Sequence, residues 1–347
     1  MRLVLWLTVW LRRLVILAIL AVIGLGAPIA YTEYSCRAPA QAEGRAPPST
    51  LDSTGRAYAA LPGYVVARAH EDYAATLAGG DPHDFGFLPA VMGYWNAACA
   101  AVRGADAGGG FPTEAKLAIY SEGAGFTANF LAKAAYEETL GRVATMVRGE
   151  TRAPLDDLSA EQAAAFASSA DGPRGSAWDH AAAARDLIDQ RGGSPRDWER
   201  MIALNIEYRA RGAFRGLARL PELPQAPATL RAVVTGLGQD ALLAIPSVSV
   251  LGPRSEGFQI ETSAGAEAVP PLTAIASAGG TVTDVAGAGQ VLLLVSAPSG
   301  EDLGALVLLP RPDGGSRQVL ALPVAELGPA LLRLADGPAR VERLLGN

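Results

Sequence analysis

Residues Leu14 to Tyr31 form an 18-residue run without a charged side chain, and Arg12 and Arg13 stand directly before it. A helix of this length crosses most of the hydrocarbon layer of a bilayer. The run therefore predicts a transmembrane helix at 14–31, inside an N-terminal anchor of residues 1–36. The lipid bilayer is accordingly the first predicted partner.

The charges around this run predict its orientation. Arg2, Arg12 and Arg13 lie on its N-terminal side, and an excess of basic residues marks the cytoplasmic end of a membrane helix. The rest of the chain would then lie in the periplasm, with the anchor in a bacterial inner membrane. The alternative is a cleaved signal peptide, which needs small residues just before the cut. Because Pro28 directly follows Ala27, we expect an uncleaved anchor.

Length, charge and cysteine content indicate the number of domains, the class of partner and the state of the cysteines. A chain of 347 residues suits two soluble domains besides the anchor. Its net charge of -6 argues against a nucleic-acid partner, which favours a basic protein surface. The two cysteines cannot form a disulfide framework, although one bridge between them stays open. We expect Cys99 to be a free buried thiol, with Cys36 unpaired.

The first soluble domain is predicted to be helical. Residues 37–62 are rich in Ala, Pro, Gly and Ser and predict an irregular linker. Residues 63–220 then repeat apolar side chains at helical spacing, which predicts an all-helical domain. Within it we predict helices over residues 64–77, 88–102, 113–148, 178–190 and from 195 to about 220, and a further helix that starts at a capping box formed by Ser159 and Gln162.

The second soluble domain is predicted to be a small α+β unit. Residues 221–229 are a Pro-rich linker, and residues 230–347 contain short runs rich in Val, Ile and Leu between turn residues. These runs predict strands at 230–235, 248–251, 258–262, 291–295, 306–309, 318–322 and 339–345, and helices at 269–278 and 324–335. The succession favours a ferredoxin-like sandwich with helices over one face of a sheet. The fold class is therefore α+β.

Three stretches carry a resemblance to a known group. They are Asp81–Phe87 (DPHDFGF), Tyr136–Arg142 (YEETLGR) and the end of the anchor at Tyr34–Cys36 (YSC). Together they resemble an uncharacterised group of single-pass bacterial membrane proteins. The resemblance covers most of the chain and implies a membrane address, but it implies no activity and no catalytic residue.

Histidines and acids near the start of the helical domain raise the question of a metal site. His70 with its neighbouring acids, and His83 between Asp81 and Asp84, offer ligands of the kind that zinc or manganese accepts. The sequence has neither a HExxH motif nor paired cysteine spacing. We interpret these residues as a helix face and a turn, and we predict no metal and no cofactor.

A polar stripe follows one side of the long helix predicted at 113–148. Glu122, Asn129, Lys133 and Glu137 fall within one sector of a helical wheel, beside phenylalanines. Asn129 and Lys133, and likewise Lys133 and Glu137, are i,i+4 neighbours that can pair. A catalytic site with a shifted pKa is one interpretation of this stripe. The other, which we favour, is an internal ion-pair network.

The sequence alone does not establish an activity. Few titratable residues stand where acid-base or nucleophilic catalysis needs them, so we expect a non-catalytic interaction or accessory role with an unidentified protein partner. The alternative is an enzyme such as a metal-assisted hydrolase, with His83, Asp84, Glu122 and Lys133 as candidate residues. A small-ligand binder within the helical domain is a further alternative.

Overall fold

A computed structural model of the protein describes residue 12 and residues 23–36, 53–106, 111–149, 151–171, 178–217 and 228–345. Helix α1 is described over residues 23–35, which include the second half of the predicted span at 14–31. Residues 14–22 of that span and most of both predicted linkers lie outside the described part. Among the described residues, no helix is both long and apolar enough to cross a membrane.

The helical region contains seven further α-helices. They are α2 (Ser53–Gly79), α3 (Phe87–Asp106), α4 (Thr113–Tyr136), α5 (Arg142–Arg148), α6 (Pro154–Asp171), α7 (His180–Asp189) and α8 (Pro195–Leu217). A 3₁₀ turn at Pro82–Asp84 joins α2 to α3, and a π-helical turn at Glu137–Gly141 joins α4 to α5. The long helix predicted at 113–148 is therefore present, with a change of helical pitch near its end.

Two helix boundaries differ from the prediction. Helix α2 begins at Ser53 and continues through Pro62, so residues 53–62 are helical rather than an irregular linker. Helix α6 begins at Pro154, where proline suits the first helical position because its missing N–H needs no partner there. The predicted capping box is therefore wrong. The hydroxyl of Ser159 instead donates to the carbonyl of Asp156 inside the helix, at 2.8 Å.

Helix α4 also runs without a break through Gly123. A Cβ atom on Gly123 would lie 2.3 Å from Cε1 of Tyr94, so this glycine lets α4 approach α3 closely. The tyrosine hydroxyl fixes the contact by donating to the carbonyl of Ile119 at 2.6 Å. Close packing, rather than bending, accounts for the glycine.

The C-terminal region forms two four-stranded sheets with antiparallel pairings, where the sequence suggested one. The strands are β1 (Thr229–Thr235), β2 (Ser249–Arg254), β3 (Gly257–Ser263), β4 (Thr281–Val285), β5 (Gln290–Ala297), β6 (Val307–Pro310), β7 (Ser316–Pro323) and β8 (Arg340–Leu345). Helices α9 (Gln239–Leu243), α10 (Val269–Ser277) and α11 (Leu327–Ala335) connect them. The predicted strands and both predicted helices of this region are present. Strand β4 was not predicted.

The two sheets repeat one topology. The strand order is β2-β3-β1-β4 in the first sheet and β6-β7-β5-β8 in the second. In each, a helix connects the third strand to the fourth, and the fourth pairs beside the first. The first unit has α9 between its first two strands, whereas residues 298–306 connect them without a helix in the second. The α+β class is thus confirmed, with a helical region and two small sheets.

The second sheet lies in the middle of the molecule because it is buried on both faces. Leu292 and Leu294 of β5 belong to the core that they share with α2, α3 and α4. Val291, Leu293 and Val295 alternate with them and belong to the core that contains the first sheet, α10 and α11. The helical region therefore packs directly on a sheet, and the predicted domain boundaries stay a prediction.

Candidate interaction surface

The four residues predicted as catalytic candidates lie at three separate places. His83 and Asp84 occupy the 3₁₀ turn after α2. Asp84 lines a cleft on one side of α2, whereas Lys133 lines a small cavity on the other side. Glu122 lines neither of these spaces. The structure therefore brings His83 and Asp84 together but does not gather the four into one pocket.

The turn at Asp81–Asp84 presents three potential metal ligands, of which the two carboxylates are already engaged in protein hydrogen bonds. One ligand atom from each of Asp81, His83 and Asp84 lies within 4.8 Å of the others. Both carboxylate oxygens of Asp81 accept hydrogen bonds from Arg148, at 3.0 and 3.1 Å. Asp84 accepts from the backbone N–H of Asp81 at 2.9 Å. A cation here would compete with an arginine, so the donor set favours a structural turn.

His70 is not part of this cluster. Its ring packs edge-on against three phenylalanines, at centroid distances of 6.2, 5.2 and 4.8 Å for Phe126, Phe130 and Phe166. Burial and the nearby positive charges of Arg211 and Lys133 lower the pKa of His70 to about 3. The imidazole is therefore neutral at physiological pH and acts as an aromatic packing group.

Lys133 is buried in an ion pair, although its partner differs from the prediction. Its Nζ lies 3.1 Å from the carboxylate of Glu207 on α8, and the two side chains are only 13% and 16% exposed. Arg211 also contacts Glu207, at 2.8 Å, and donates to Asn129 at 2.6 Å. The predicted pairing of Lys133 with Asn129 and Glu137 is therefore wrong, because α8 supplies the counter-charges.

The electrostatics of this pair keep both groups charged. Burial alone would raise the pKa of Glu207, but Lys133 and Arg211 outweigh it and lower the pKa to about 2. Burial alone would lower the pKa of Lys133, but the Glu207 carboxylate holds it above its ordinary value. Neither group is poised to exchange a proton near neutral pH, so the arrangement fits an ion pair better than an acid-base catalyst.

Glu137 forms the second buried pair, and the π-helical turn makes it possible. Its two carboxylate oxygens each accept a hydrogen bond from Arg200 of α8 at 2.9 Å. Glu137 is 3% exposed and Arg200 is 1% exposed. A Cβ atom on Gly141 would lie 2.3 Å from the Glu137 carboxylate, so the glycine leaves room for this side chain. The pair fastens the end of α4 to α8.

A third group of charges surrounds Asp156 of α6. This carboxylate accepts hydrogen bonds from Arg148 at 2.7 Å and from Arg196 at 2.9 Å. Arg196, which is 2% exposed, also contacts Glu199 at 2.8 Å. The inward side of α8 thus combines ion-paired arginines with the buried apolar residues Leu204 and Tyr208.

Glu122 differs from these groups because burial is not compensated by a positive charge. In the part of the chain that the structure describes, its polar contact is with the hydroxyl of Tyr94, at 3.5 Å. Burial raises the pKa of Glu122 to about 7. This carboxyl consequently changes charge close to neutral pH.

The outward side of α8 and its neighbour α5 is apolar. Trp198, Ile202 and Ile206 follow each other at four-residue spacing along α8, and they are 45%, 51% and 65% exposed. Beside them, Leu140 of the π-helical turn and Val143, Met146 and Val147 of α5 are 58–81% exposed. We call these seven residues the apolar outer face.

The two halves of this face belong to adjacent helices. Helix α5 packs against α8. The hydroxyl of Tyr136 donates to Glu199 of α8, and Leu140 follows Tyr136 by one turn of the same helix. The side of the α4–α5 junction that carries Tyr136 and Leu140 therefore contacts the side of α8 that carries Glu199. The exposed apolar side chains of these two packed helices are therefore treated as one surface, with the buried ion pairs on the inward side of α8.

A cleft lies on the other side of α2. Its volume is about 430 Å³, and it lies between α2 and the edge strand β6. The lining side chains are mostly apolar and include Val65, Ala69, Phe85, Pro89 and Leu309. Arg317 closes one end with two hydrogen bonds to Asp72, at 2.8 and 2.6 Å, and one to Glu342 at 3.2 Å.

Helix α1 is attached to the helical region by a disulfide between Cys36 and Cys99. The expectation of a free thiol at Cys99 is therefore wrong. Glu33 supports the same attachment, since it accepts a hydrogen bond from Tyr120 at 2.7 Å and lies 3.5 Å from Lys116. The presence of two cysteines was the only feature of the sequence that allowed this bond.

Comparisons with known proteins found no relative of this chain. No family model matches the chain, and neither the curated proteins nor the solved structures gave a match. The resemblance to single-pass bacterial membrane proteins therefore stays a prediction.

Proposed function

We propose that the protein has a non-catalytic interaction or accessory role at the bacterial inner membrane, and that the apolar outer face is its contact surface. The observation that carries this proposal is the exposed apolar side of α8. Arg196 and Arg200 are buried in ion pairs and Leu204 and Tyr208 are buried in a core cluster, while Trp198, Ile202 and Ile206 face outward. A helix that exposes a row of apolar side chains besides its buried side is suited to contact a second apolar surface.

The size of the face supports this assignment. If a fully exposed side chain of this kind contributes on the order of 150–200 Å², the seven residues expose roughly 700 Å². The largest apolar patch on a typical monomer is about 300–600 Å², and larger patches mark interaction sites. Covering such a surface removes apolar area from water, which favours association.

The buried charges support a structural role rather than a catalytic one. Lys133 is engaged by Glu207, and Arg200 is engaged by Glu137 through both oxygens. Buried ion pairs often contribute specificity more than stability, because only one arrangement satisfies both charges. Here they hold α4, α5 and α8 in one register, which fixes the shape of the outer face.

The proposed location in the membrane, with the soluble part in the periplasm, rests on the uncharged run at 14–31 and on the two cysteines. Disulfides persist in oxidising compartments such as the periplasm, and the Cys36–Cys99 bond is consistent with that location. A reporter fused after Asn347 tests the orientation. We expect an alkaline-phosphatase fusion to be active and a fluorescent-protein fusion to be dark, and the opposite pattern would refute it.

We also infer that the first sheet, with α9 and α10, is a ferredoxin-like unit. The element order β1-α9-β2-β3-α10-β4 and the strand order β2-β3-β1-β4 support this inference. The second sheet would then be a variant of the same unit that lacks the first helix.

Native gel electrophoresis of gently solubilised membranes tests the proposed interaction. We expect the unaltered chain to migrate in a complex larger than 35.8 kDa, and Ile202→Asp with Ile206→Asp to release it. Leu251→Asp is the matched control, because Leu251 on β2 is 49% exposed and lies off the outer face. A complex that survives the paired change but is lost on His83→Ala would favour the enzyme alternative.

The cleft between α2 and β6 favours small-ligand binding as a second candidate function. Its mostly apolar walls suit a ligand with an apolar body, whereas Arg317 is already paired with Asp72 and Glu342. Titration with a fluorescent fatty acid tests this candidate. We expect binding that Leu309→Trp abolishes by filling the cleft, and binding unaffected by that change would place the ligand elsewhere.

A further inference from the structure

We infer that the partner on the apolar outer face is a second copy of this chain, bound through the same face. This inference rests on the proposed function, because it names the occupant of the surface described there. A two-fold symmetric contact places one patch against itself, so the patch must be large enough and self-complementary in charge and shape.

The exposed area meets the first requirement. A stable interface of standard size buries about 800 Å² on each partner. The roughly 700 Å² of apolar side chain on the outer face supplies most of that area before any polar rim is counted. Trp198 and Met146 are also residue types enriched at the centres of protein interfaces.

The charges at the rim meet the second requirement. Glu138 and Arg142 flank the apolar residues of α5, and they form a pair with an N–O distance of 2.7 Å at 46% and 51% exposure. The rim also includes Arg191, which lies 3.9 Å from the ring centroid of Trp198. At the Glu138–Arg142 pair, where an acid and a base lie side by side, a two-fold related copy can present Arg142 to Glu138 in both directions. An anionic lipid surface would instead favour a predominantly basic rim.

The rigidity of the outer face also favours association with a second copy. Glu137 with Arg200, and Arg148 with Asp156, tie α4, α5, α6 and α8 together behind the outer face. The surface is therefore formed before binding, and association does not need to order it first.

Photocrosslinking of the full chain in native membranes tests the inference. A benzophenone amino acid replaces Ile202, and two differently tagged copies are expressed together. We expect a crosslinked band at twice the chain mass of 35.8 kDa that carries both tags. The same probe in place of Leu251, which has matched exposure, should give no such band.

A second variant separates loss of contact from loss of folding. With the probe at Ile202, Ile206→Asp should reduce the doubly tagged band at least tenfold while leaving the circular dichroism spectrum of the purified chain unchanged, because Ile206 is 65% exposed.

The outcomes distinguish this inference from the proposed function. A crosslink from Ile202 to a different protein would overturn the second-copy inference and leave the interaction role standing. No crosslink to any protein from Ile202 would overturn both. A doubly tagged band that forms equally from Leu251 would also overturn the inference, because the contact would not be specific to the outer face.

Discussion

Replacing Glu207 by glutamine should strongly destabilise the helical region. The substitution keeps the shape of the side chain but removes the negative charge that faces Lys133 at 3.1 Å. Lys133 and Arg211 would then be left close together without their shared counter-ion. Because the Glu207 pKa falls from 4.5 to about 2 on folding, the interaction stabilises the folded state by about 3 kcal/mol. Removal of one partner from a buried pair typically costs about 3–5 kcal/mol.

The direction of the pH dependence follows from the same shift. A carboxyl group whose pKa is depressed on folding stabilises the protein above its unfolded pKa, and that contribution is lost as the pH falls through its folded pKa. The unaltered chain should therefore lose stability between about pH 4.5 and pH 2. The part of that loss due to Glu207 should be absent in Glu207→Gln.

Urea denaturation of the solubilised chain at pH 7 measures the effect. We expect Glu207→Gln to lose about 3 kcal/mol and the added change Lys133→Met to recover part of it, as a double-mutant cycle requires of coupled residues. Asp157→Asn is the control, since its pair with Arg152 is exposed and is worth less than about 1 kcal/mol. A loss below about 1 kcal/mol for Glu207→Gln would refute the buried pair.

Three further predictions follow from the helical region. Gly141→Ala should cost about 3 kcal/mol in urea denaturation because its methyl group would displace Glu137 from its buried pair, whereas Gly125→Ala, at an exposed position of α4, meets no such contact. Glu122→Gln should raise the melting temperature at pH 8 and leave it unchanged at pH 4. The reason is that burial raises the pKa of Glu122 from 4.5 to about 7, so the stability of the unaltered chain falls as the pH rises between these values. Equal effects of the substitution at both pH values would contradict this prediction. Cys99→Ala should cost about 4 kcal/mol, as expected for a bridge that spans 63 residues, and a chain that melts the same with and without reductant would argue against the bond.

Local sequence patterns were sufficient to predict most of the secondary structure. The run Val291–Val295 is apolar at every position because β5 is buried on both faces, so no polar residue interrupts the signal. The starts of α7 and α8 were predictable from helix-capping residues such as Asp179, which accepts hydrogen bonds from two backbone N–H groups at 2.9 Å. The repeat of the two sheets was missed because one unit has a helix where the other has residues 298–306.

The candidate surface was not predictable in the same way. The sequence placed Lys133 in a buried network correctly, but i,i+4 spacing offered Glu137 as its partner, and the true partner Glu207 lies on a distant helix. A helical period also separates two faces of α8 without indicating which one is buried. Only the packing shows that Arg200 points inward and Ile202 outward.

Cysteine accessibility in native membranes tests most directly whether the apolar outer face is covered by a partner. Ile202→Cys and Leu251→Cys introduce single thiols at positions that are 51% and 49% exposed in the isolated chain. If the outer face is an interaction surface, a bulky maleimide should label Leu251→Cys rapidly and Ile202→Cys at least tenfold more slowly, and denaturation should remove the difference. Equal labelling of the two thiols in native membranes would contradict the account.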